Sequence, residues 1–205
     1  KLPDVPMDAA KKTRFVAEAK ALRALYYFNL VRMFKNIPLI LEPVDPTQMY
    51  NITQATPAEV YNQIETDLVA AITDLPATVT SSELGRLSKG AAKALLGKVY
   101  LYDGKKAEAA AQLADVNGTP GGTSQYGYKL LSNFADLWVT NNKFHSEAII
   151  ECSHTNLSFA GWGNWGSGSD RGNSVCVMVG PRGYNKKTAN APDLPTGWSF
   201  NVFTQ

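Results

Sequence analysis

Along the first two-thirds of the chain apolar residues recur in steps of three and four, the period of a helix with one face turned inward. Between positions 8 and 35 the stripe runs Phe15, Ala19, Leu22, Tyr26, Leu30 and Phe34, predicting one long helix. Asn36 supplies a stop, and Pro38 cannot continue a helix because it lacks the backbone N–H. Positions 37–55 hold Pro38, Pro43 and Pro46 and read as an extended connector. A second helix starts at Thr56-Pro57-Ala58-Glu59, where Thr56 caps, Pro57 fits the first turn and Glu59 completes a capping box. Val60, Ile64, Leu68 and Ile72 form its inner face, and Leu75-Pro76 ends it. After a polar loop over 78–85, a third helix is expected over 88–102, with Ala91, Leu95, Val99 and Tyr102 on one side. Asp103-Gly104 turns the chain into a fourth helix over 105–116. Tyr26, Tyr27, Phe28, Tyr100 and Tyr102 lie on these periodic stretches and are expected in the core.

The pattern then breaks. Positions 117–125 are a Gly/Thr/Ser-rich loop, 134–139 predict one short helix, and 147–154 alternate as a strand would, with Cys152 read as a small buried apolar residue. From 158 to 183 glycine and serine dominate, predicting long irregular loops of the kind that carry function.

The pair of helices over 90–116 fits a repeat template. Leu96-Gly97-Lys98-Val99-Tyr100 supplies L-G-x-x-Y, Gly104 sits at the turn, and Ala109, Leu113 and Val116 occupy the packing positions of the second helix. Gly97 allows close approach of the two helices, and Tyr100 fills the groove beside the turn. This is a tetratricopeptide-like hairpin, or more plainly an antiparallel helical pair. The first two helices can form another such unit with a stretched turn.

Composition narrows the function classes. The 205 residues are 44% hydrophobic and 19% charged, which suits a globular chain. Twenty basic against 18 acidic residues leave a net charge of +2, so neither nucleic acid nor an anionic membrane is indicated as a partner. No apolar run reaches membrane-spanning length. The first residue is Lys1, and an aromatic-rich run closes the sequence, so the chain reads as part of a longer protein. A Cys152–Cys176 bridge is left open.

No catalytic constellation stands out. His145 and His154 lack metal-ligand spacing and no cofactor is implied. Glu59, Glu65, Asp67 and Asp74 fall on helices and read as solvated charges rather than a glycosidase pair. The residues suited to a ligand are Trp162, Trp165, Tyr184 and Trp198, because sugars present flat C–H faces that stack on aromatic rings. Asn164, Asp170, Arg171 and Arg182 lie nearby in sequence and can pair with hydroxyls. The plainer alternative is that these rings anchor loops to the core.

Four ordered blocks resemble the SusD/RagB family. The first is Ala17-Glu18-Ala19-Lys20-Ala21-Leu22-Arg23-Ala24-Leu25-Tyr26-Tyr27-Phe28-Asn29-Leu30-Val31-Arg32-Met33-Phe34, followed by Asn36-Ile37-Pro38-Leu39. The second is Thr56-Pro57-Ala58-Glu59-Val60-Tyr61 with Ile64, Asp67-Leu68, Ala71 and Leu75-Pro76. The third is Gly85-Arg86-Leu87-Ser88-Lys89-Gly90-Ala91-Ala92-Lys93-Ala94-Leu95-Leu96-Gly97-Lys98-Val99-Tyr100-Leu101-Tyr102, then Gly104 and Ala107, and the fourth is Ser146-Glu147-Ala148-Ile149-Ile150-Glu151. The resemblance covers roughly 17–151 and marks an internal segment of a longer family member.

It implies a mainly α, SusD-like fold: tetratricopeptide-like hairpins with long irregular loops and a short strand segment. Positions 1–154 would be the helical scaffold and 155–205 a loop-rich variable region facing the ligand. By the same resemblance the protein binds an oligosaccharide or polysaccharide at the outer surface of the outer membrane of a Bacteroidetes cell. It is held there by an N-terminal lipid absent from this chain, and delivers nutrient to a SusC-like TonB-dependent transporter without catalysis. Some relatives bind peptides instead. The alternatives from other classes are a tetratricopeptide adaptor for a protein segment and a helical glycosidase.

Overall fold

The structure, a computed structural model, describes residues 4–139, 141–154, 182–183 and 185–191. Four α-helices run in order: α1 (Ala9–Phe34), α2 (Pro57–Asp74), α3 (Lys89–Tyr102) and α4 (Lys106–Asn117). Short 3₁₀ turns occur at Met49–Asn51, Ser81–Glu83 and Phe134–Trp138. The chain divides into two compact units, Lys1–Glu151 and Cys152–Gln205.

α1, α2 and α3 start where a side chain can satisfy free N–H groups of the first turn, whereas α4 has no side-chain cap. The Asp8 carboxylate accepts from Lys11 N at 2.9 Å. Thr56 and Glu59 form the expected capping box: Thr56 N donates to Glu59 Oε2 at 2.7 Å, and Glu59 N donates to Thr56 Oγ1 at 3.4 Å. Ser88 Oγ accepts from Ala91 N at 3.2 Å. The proline-rich connector returns from α1 to α2 through two short antiparallel strands, β1 (Ile37–Pro38) and β2 (Gln54–Ala55), with Ile37 opposite Ala55.

The helices pack in chain order, α1 on α2, α2 on α3 and α3 on α4. One core joins Ala17, Ala21, Ala24, Phe28 and Val31 of α1 to Val60, Ile64, Leu68 and Ala71 of α2 and to Ala92, Leu95, Leu96 and Val99 of α3. This corrects the stripe expected on α1. Leu22, Tyr26, Leu30 and Phe34 are exposed, and the alanine-rich face is the buried one. The helix is apolar on two sides, and small side chains bring its backbone closer to α2 than Leu and Tyr would allow. The expected aromatic core is likewise reduced to Phe28, with Tyr27 and Tyr100 partly buried and Tyr26 and Tyr102 exposed. The Arg32 guanidinium lies 4.4 Å from the Phe28 ring centre and 5.3 Å from that of Tyr102.

The α3–α4 hairpin forms as the repeat template predicts. Leu96 and Gly97 are buried, Tyr100 is partly so, and a Cβ at Gly97 would lie 2.8 Å from Leu113 side-chain carbons. Two carboxylates expected on solvent are instead tied down. Asp67 is 2% exposed, its two oxygens held by Arg23 at 2.8 and 2.7 Å. Glu65 takes both its bonds from the Lys105 ammonium, at 2.7 and 2.8 Å.

The strand expected over 147–154 is not formed. Ala148 N bonds back to His145 O at 2.9 Å, making a turn, and Cys152 is exposed with a free thiol. The carboxylates of Glu147 and Glu151 explain the difference, because they satisfy loop N–H groups that a sheet would otherwise pair. Glu147 Oε2 accepts from Leu131 N at 2.9 Å, and Glu151 Oε2 from Phe144 N at 2.7 Å. The segment 134–139, expected to be a short helix, contains the 3₁₀ turn.

Candidate functional site

Of the residues singled out for ligand contact, Arg182 is described by the structure. It is exposed and sits in a turn with Gly183, whose φ of +63° suits glycine. Asn185 Nδ2 donates to Gly183 O across that turn at 3.2 Å. Trp162, Asn164, Trp165, Asp170, Arg171, Tyr184 and Trp198 lie outside the described residues, as does Cys176.

Within the first unit the loops after α4 are braced against the hairpin. Asp115 of α4 receives the Lys93 ammonium of α3 at 2.6 Å, the Tyr126 hydroxyl at 2.8 Å and the Gln125 amide at 2.6 Å. Those bonds, the Lys93 one foremost, hold the Asp115 carboxyl below the usual carboxylate range, and the same ion pair raises Lys93. Gly90 admits the aromatic rings of this loop: a Cβ there would lie 2.7 Å from Tyr128 and 2.8 Å from Tyr126. Tyr128 shares a hydrogen bond with Ser88 Oγ at 3.1 Å, while burial pushes its phenol up.

Between this loop, the α2–α3 connection and the 144–151 turn lies an open cleft of about 190 Å³, lined among others by Leu84, Arg86, Tyr128, Phe144, His145 and Glu151. Its charged groups already have protein partners. Arg86 donates to both oxygens of Glu18, and Glu151 holds Phe144 N. Such an arrangement ties the loops to α1 and to one another. Among the described residues no group of three or more His, Cys, Asp and Glu can hold a metal, and no helix is long and apolar enough to cross a membrane.

A surface that the sequence reading passed over is the 3₁₀ turn at Phe134–Trp138. Phe134 and Trp138 are 72% and 74% exposed, with ring centres 6.1 Å apart and planes at 67°. Asn133 Oδ1 accepts from Ala135 N at 3.2 Å, and Asn142 Nδ2 donates to Asp136 O at 2.9 Å, so polar side chains fix the turn from both ends. Two large rings four positions apart, with no apolar stripe continuing on either side, were the signal available in the sequence. Rings presented edge to face in this way offer C–H-stacking surface to a sugar.

Comparison with known proteins agrees with the fold. The profile of a SusD-like family described as starch-binding and associating with the outer membrane matches residues 4–101. SusD-like protein P25 of Formosa agariphila is 27% identical over 134 residues, which is 65% of this chain and 24% of that protein. A solved laminarin-binding SusD-like protein is 62% identical, with a TM-score of 0.91, over 98% of this chain and 43% of its own. Surface glycan-binding protein A of Bacteroides thetaiotaomicron, solved with laminarihexaose, shares the fold with a TM-score of 0.74 at 20% identity, over 96% of this chain and 39% of its own. The chain thus spans about a quarter of the curated relative's length and less than half of the solved ones.

Proposed function

The chain belongs to the SusD-like family, and on that premise we propose that it takes part in capturing a β-glucan of the laminarin type at the cell surface. The observation that carries this reading is the 62% identity, over 98% of the chain, to a protein that binds laminarin. Positions 1–154 serve as scaffold, and the loops of 155–205 face the ligand. In those loops Trp162 and Trp165 stack on sugar faces and Trp198 adds a further ring. Tyr184 adds another ring, and Asn164, Asp170, Arg171 and Arg182 bond to hydroxyls. Phe134 and Trp138 are a second aromatic contact.

The protein acts by binding rather than catalysis, a reading supported by the family description, starch-binding, and by the laminarin-binding relative. It sits on the outer face of the outer membrane through an N-terminal lipid and passes its glycan to a SusC-like TonB-dependent transporter. The rigid face of α3 and α4 suits that protein partner. The adaptor alternative rests on the α3–α4 hairpin alone and does not account for the laminarin-binding relative.

Calorimetric titration of the full-length protein tests the reading. Laminarin should bind and soluble starch should not, and the reducing-end content of laminarin should stay constant on prolonged incubation. Absence of laminarin binding would overturn the ligand, and release of new reducing ends, lost on mutating a carboxylate, would overturn the non-catalytic role.

A further inference from the structure

Asn117-Gly118 is the one place in the sequence where glycine follows asparagine, and it falls at a helix end. Asn117 closes α4 and is exposed, with Gly118 exposed beside it. The fold calls for glycine at 118. Its φ of +65° lies in the left-handed region, and a Cβ there would lie 3.3 Å from Ser124 Cα. The backbone nitrogen that follows Asn117 therefore has no side chain to shield it.

That nitrogen is a latent nucleophile. A small ring closes when it reaches the Asn117 side-chain carbonyl carbon, an approach that the Cβ of any other following residue obstructs. Here the restraint on it is a hydrogen bond, from Gly118 N to Ala114 O at 2.9 Å. The bond closes the end of α4, with Thr119 and Pro120 exposed beyond it. Further in, the helix is anchored by buried Val116 and by Asp115, which holds Lys93, Gln125 and Tyr126. Opening is thus confined to the last turn, where helix ends fray readily.

We propose that Asn117 is a modification site, at which the side-chain amide is lost through a cyclic imide formed with Gly118. The Gly118 nitrogen gives its proton to water or hydroxide and bonds to Asn117 Cγ, the Cγ–Nδ2 bond breaks, and ammonia leaves. Water, the co-reactant, then adds to either ring carbonyl and opens the ring to aspartate or isoaspartate. Both products act on the neighbouring loop. A carboxylate at the C-terminus of α4 opposes the helix dipole and adds to the negative charge of nearby Asp115. Isoaspartate also lengthens the main chain, which displaces Gly118 against Ser124. Ser124 is buried and organises that loop: its N–H donates to Tyr128 O at 2.8 Å, and its hydroxyl oxygen accepts from Tyr126 N at 3.3 Å and Tyr128 N at 3.2 Å. The modification therefore loosens the brace between α4 and the loop that follows it.

Timed incubation of the full-length protein at physiological temperature, in neutral and in mildly alkaline buffer, tests this. Trypsin then releases the peptide 107–129, and fragmentation mass spectrometry locates any amide converted to acid. Asn117 should be converted while Asn51 and Asn62, both exposed, keep their amides. Conversion should be faster in the alkaline buffer, because the attacking nitrogen must lose its proton, and isoaspartate should be among the products. As it proceeds, the backbone amides of Tyr126 and Tyr128 should exchange faster with solvent. The Asn117→Gln protein, incubated alike, should keep its exchange unchanged, since the longer side chain closes the ring far less readily. Conversion seen only in urea would show that the bond to Ala114 O closes the site in the folded protein. Equal loss at Asn51 and Asn62 would make the reaction a general ageing of the chain, and aspartate without isoaspartate would make it direct hydrolysis. Each of these three results overturns the modification site, and conversion with unaltered exchange at Tyr126 and Tyr128 overturns its effect on the loop.

Discussion

Arg23 and Asp67 show how much of this fold depends on single side chains. Asp67 is almost wholly buried in α2, where an unpaired carboxylate would be costly, and Arg23 of α1 meets it with two hydrogen bonds. Gln63 adds a third at 3.1 Å. Asp67→Ala should leave Arg23 and Gln63 facing a void at the α1–α2 interface, lowering stability by roughly 1–3 kcal/mol. Urea unfolding should show this as a lower midpoint with an unchanged slope. Gly97 makes a steric counterpart. Since a Cβ would fall 2.8 Å from Leu113, Gly97→Leu should force α3 and α4 apart and cost roughly 1–3 kcal/mol. Unchanged thermal stability of that variant would mean that the two helices do not need the close approach.

At the scale of the element, the Lys93–Asp115 pair and Tyr126 couple α3, α4 and the following loop, and this coupling is pH-dependent. Asp115 titrates below its unfolded value, so its contribution is present above about pH 4 and is lost as pH falls through the depressed pKa. Lys93 titrates above its unfolded value, so its contribution is present below about pH 10 and is lost as pH rises through the raised one. Asp115→Asn should therefore flatten the acid limb of a melting-temperature profile below about pH 4 and leave the neutral region lower by about 1 kcal/mol or less, as the pair is partly exposed. An acid limb as steep as that of the parent would place the sensitivity elsewhere. The elements themselves were unequally legible. α2 could be read closely from Thr56, Pro57 and Glu59, because a capping box is a local interaction written into adjacent residues. On α1 two apolar faces compete, and only the fit of alanines against α2 decides between them, a fact of tertiary packing that periodicity does not contain. Near 147–151 the alternation suggested a strand, but Glu147 and Glu151 turn inward to hold backbone N–H groups from residues 16 and seven positions away in sequence.

For the whole molecule the proposal turns on which aromatic surface would meet a glycan. Trp162 and Trp165 were legible as candidates because tryptophan in glycine-rich sequence has no helical stripe to belong to. Trp138 escaped because its neighbours read as a short helix, although its ring stands 74% exposed beside Phe134. The two possible roles of such rings separate experimentally. A ring that stacks on sugar loses affinity when truncated and leaves the melting temperature alone, whereas a ring that anchors a loop does the reverse. In the full-length protein Trp162→Ala and Trp165→Ala should each lose on the order of 1–2 kcal/mol of laminarin binding, extrapolated from aromatic pair energies. That corresponds to roughly five- to thirty-fold in Kd. Trp138→Ala should fall in the same range if its turn belongs to the same binding face, and should bind as the parent does if the glycan is held by the 155–205 loops alone. Parent-like affinity in all three variants would remove both aromatic surfaces from the site. A common drop in melting temperature with affinity preserved would make the rings anchors, leaving the glycan to be held by other parts of the full-length protein.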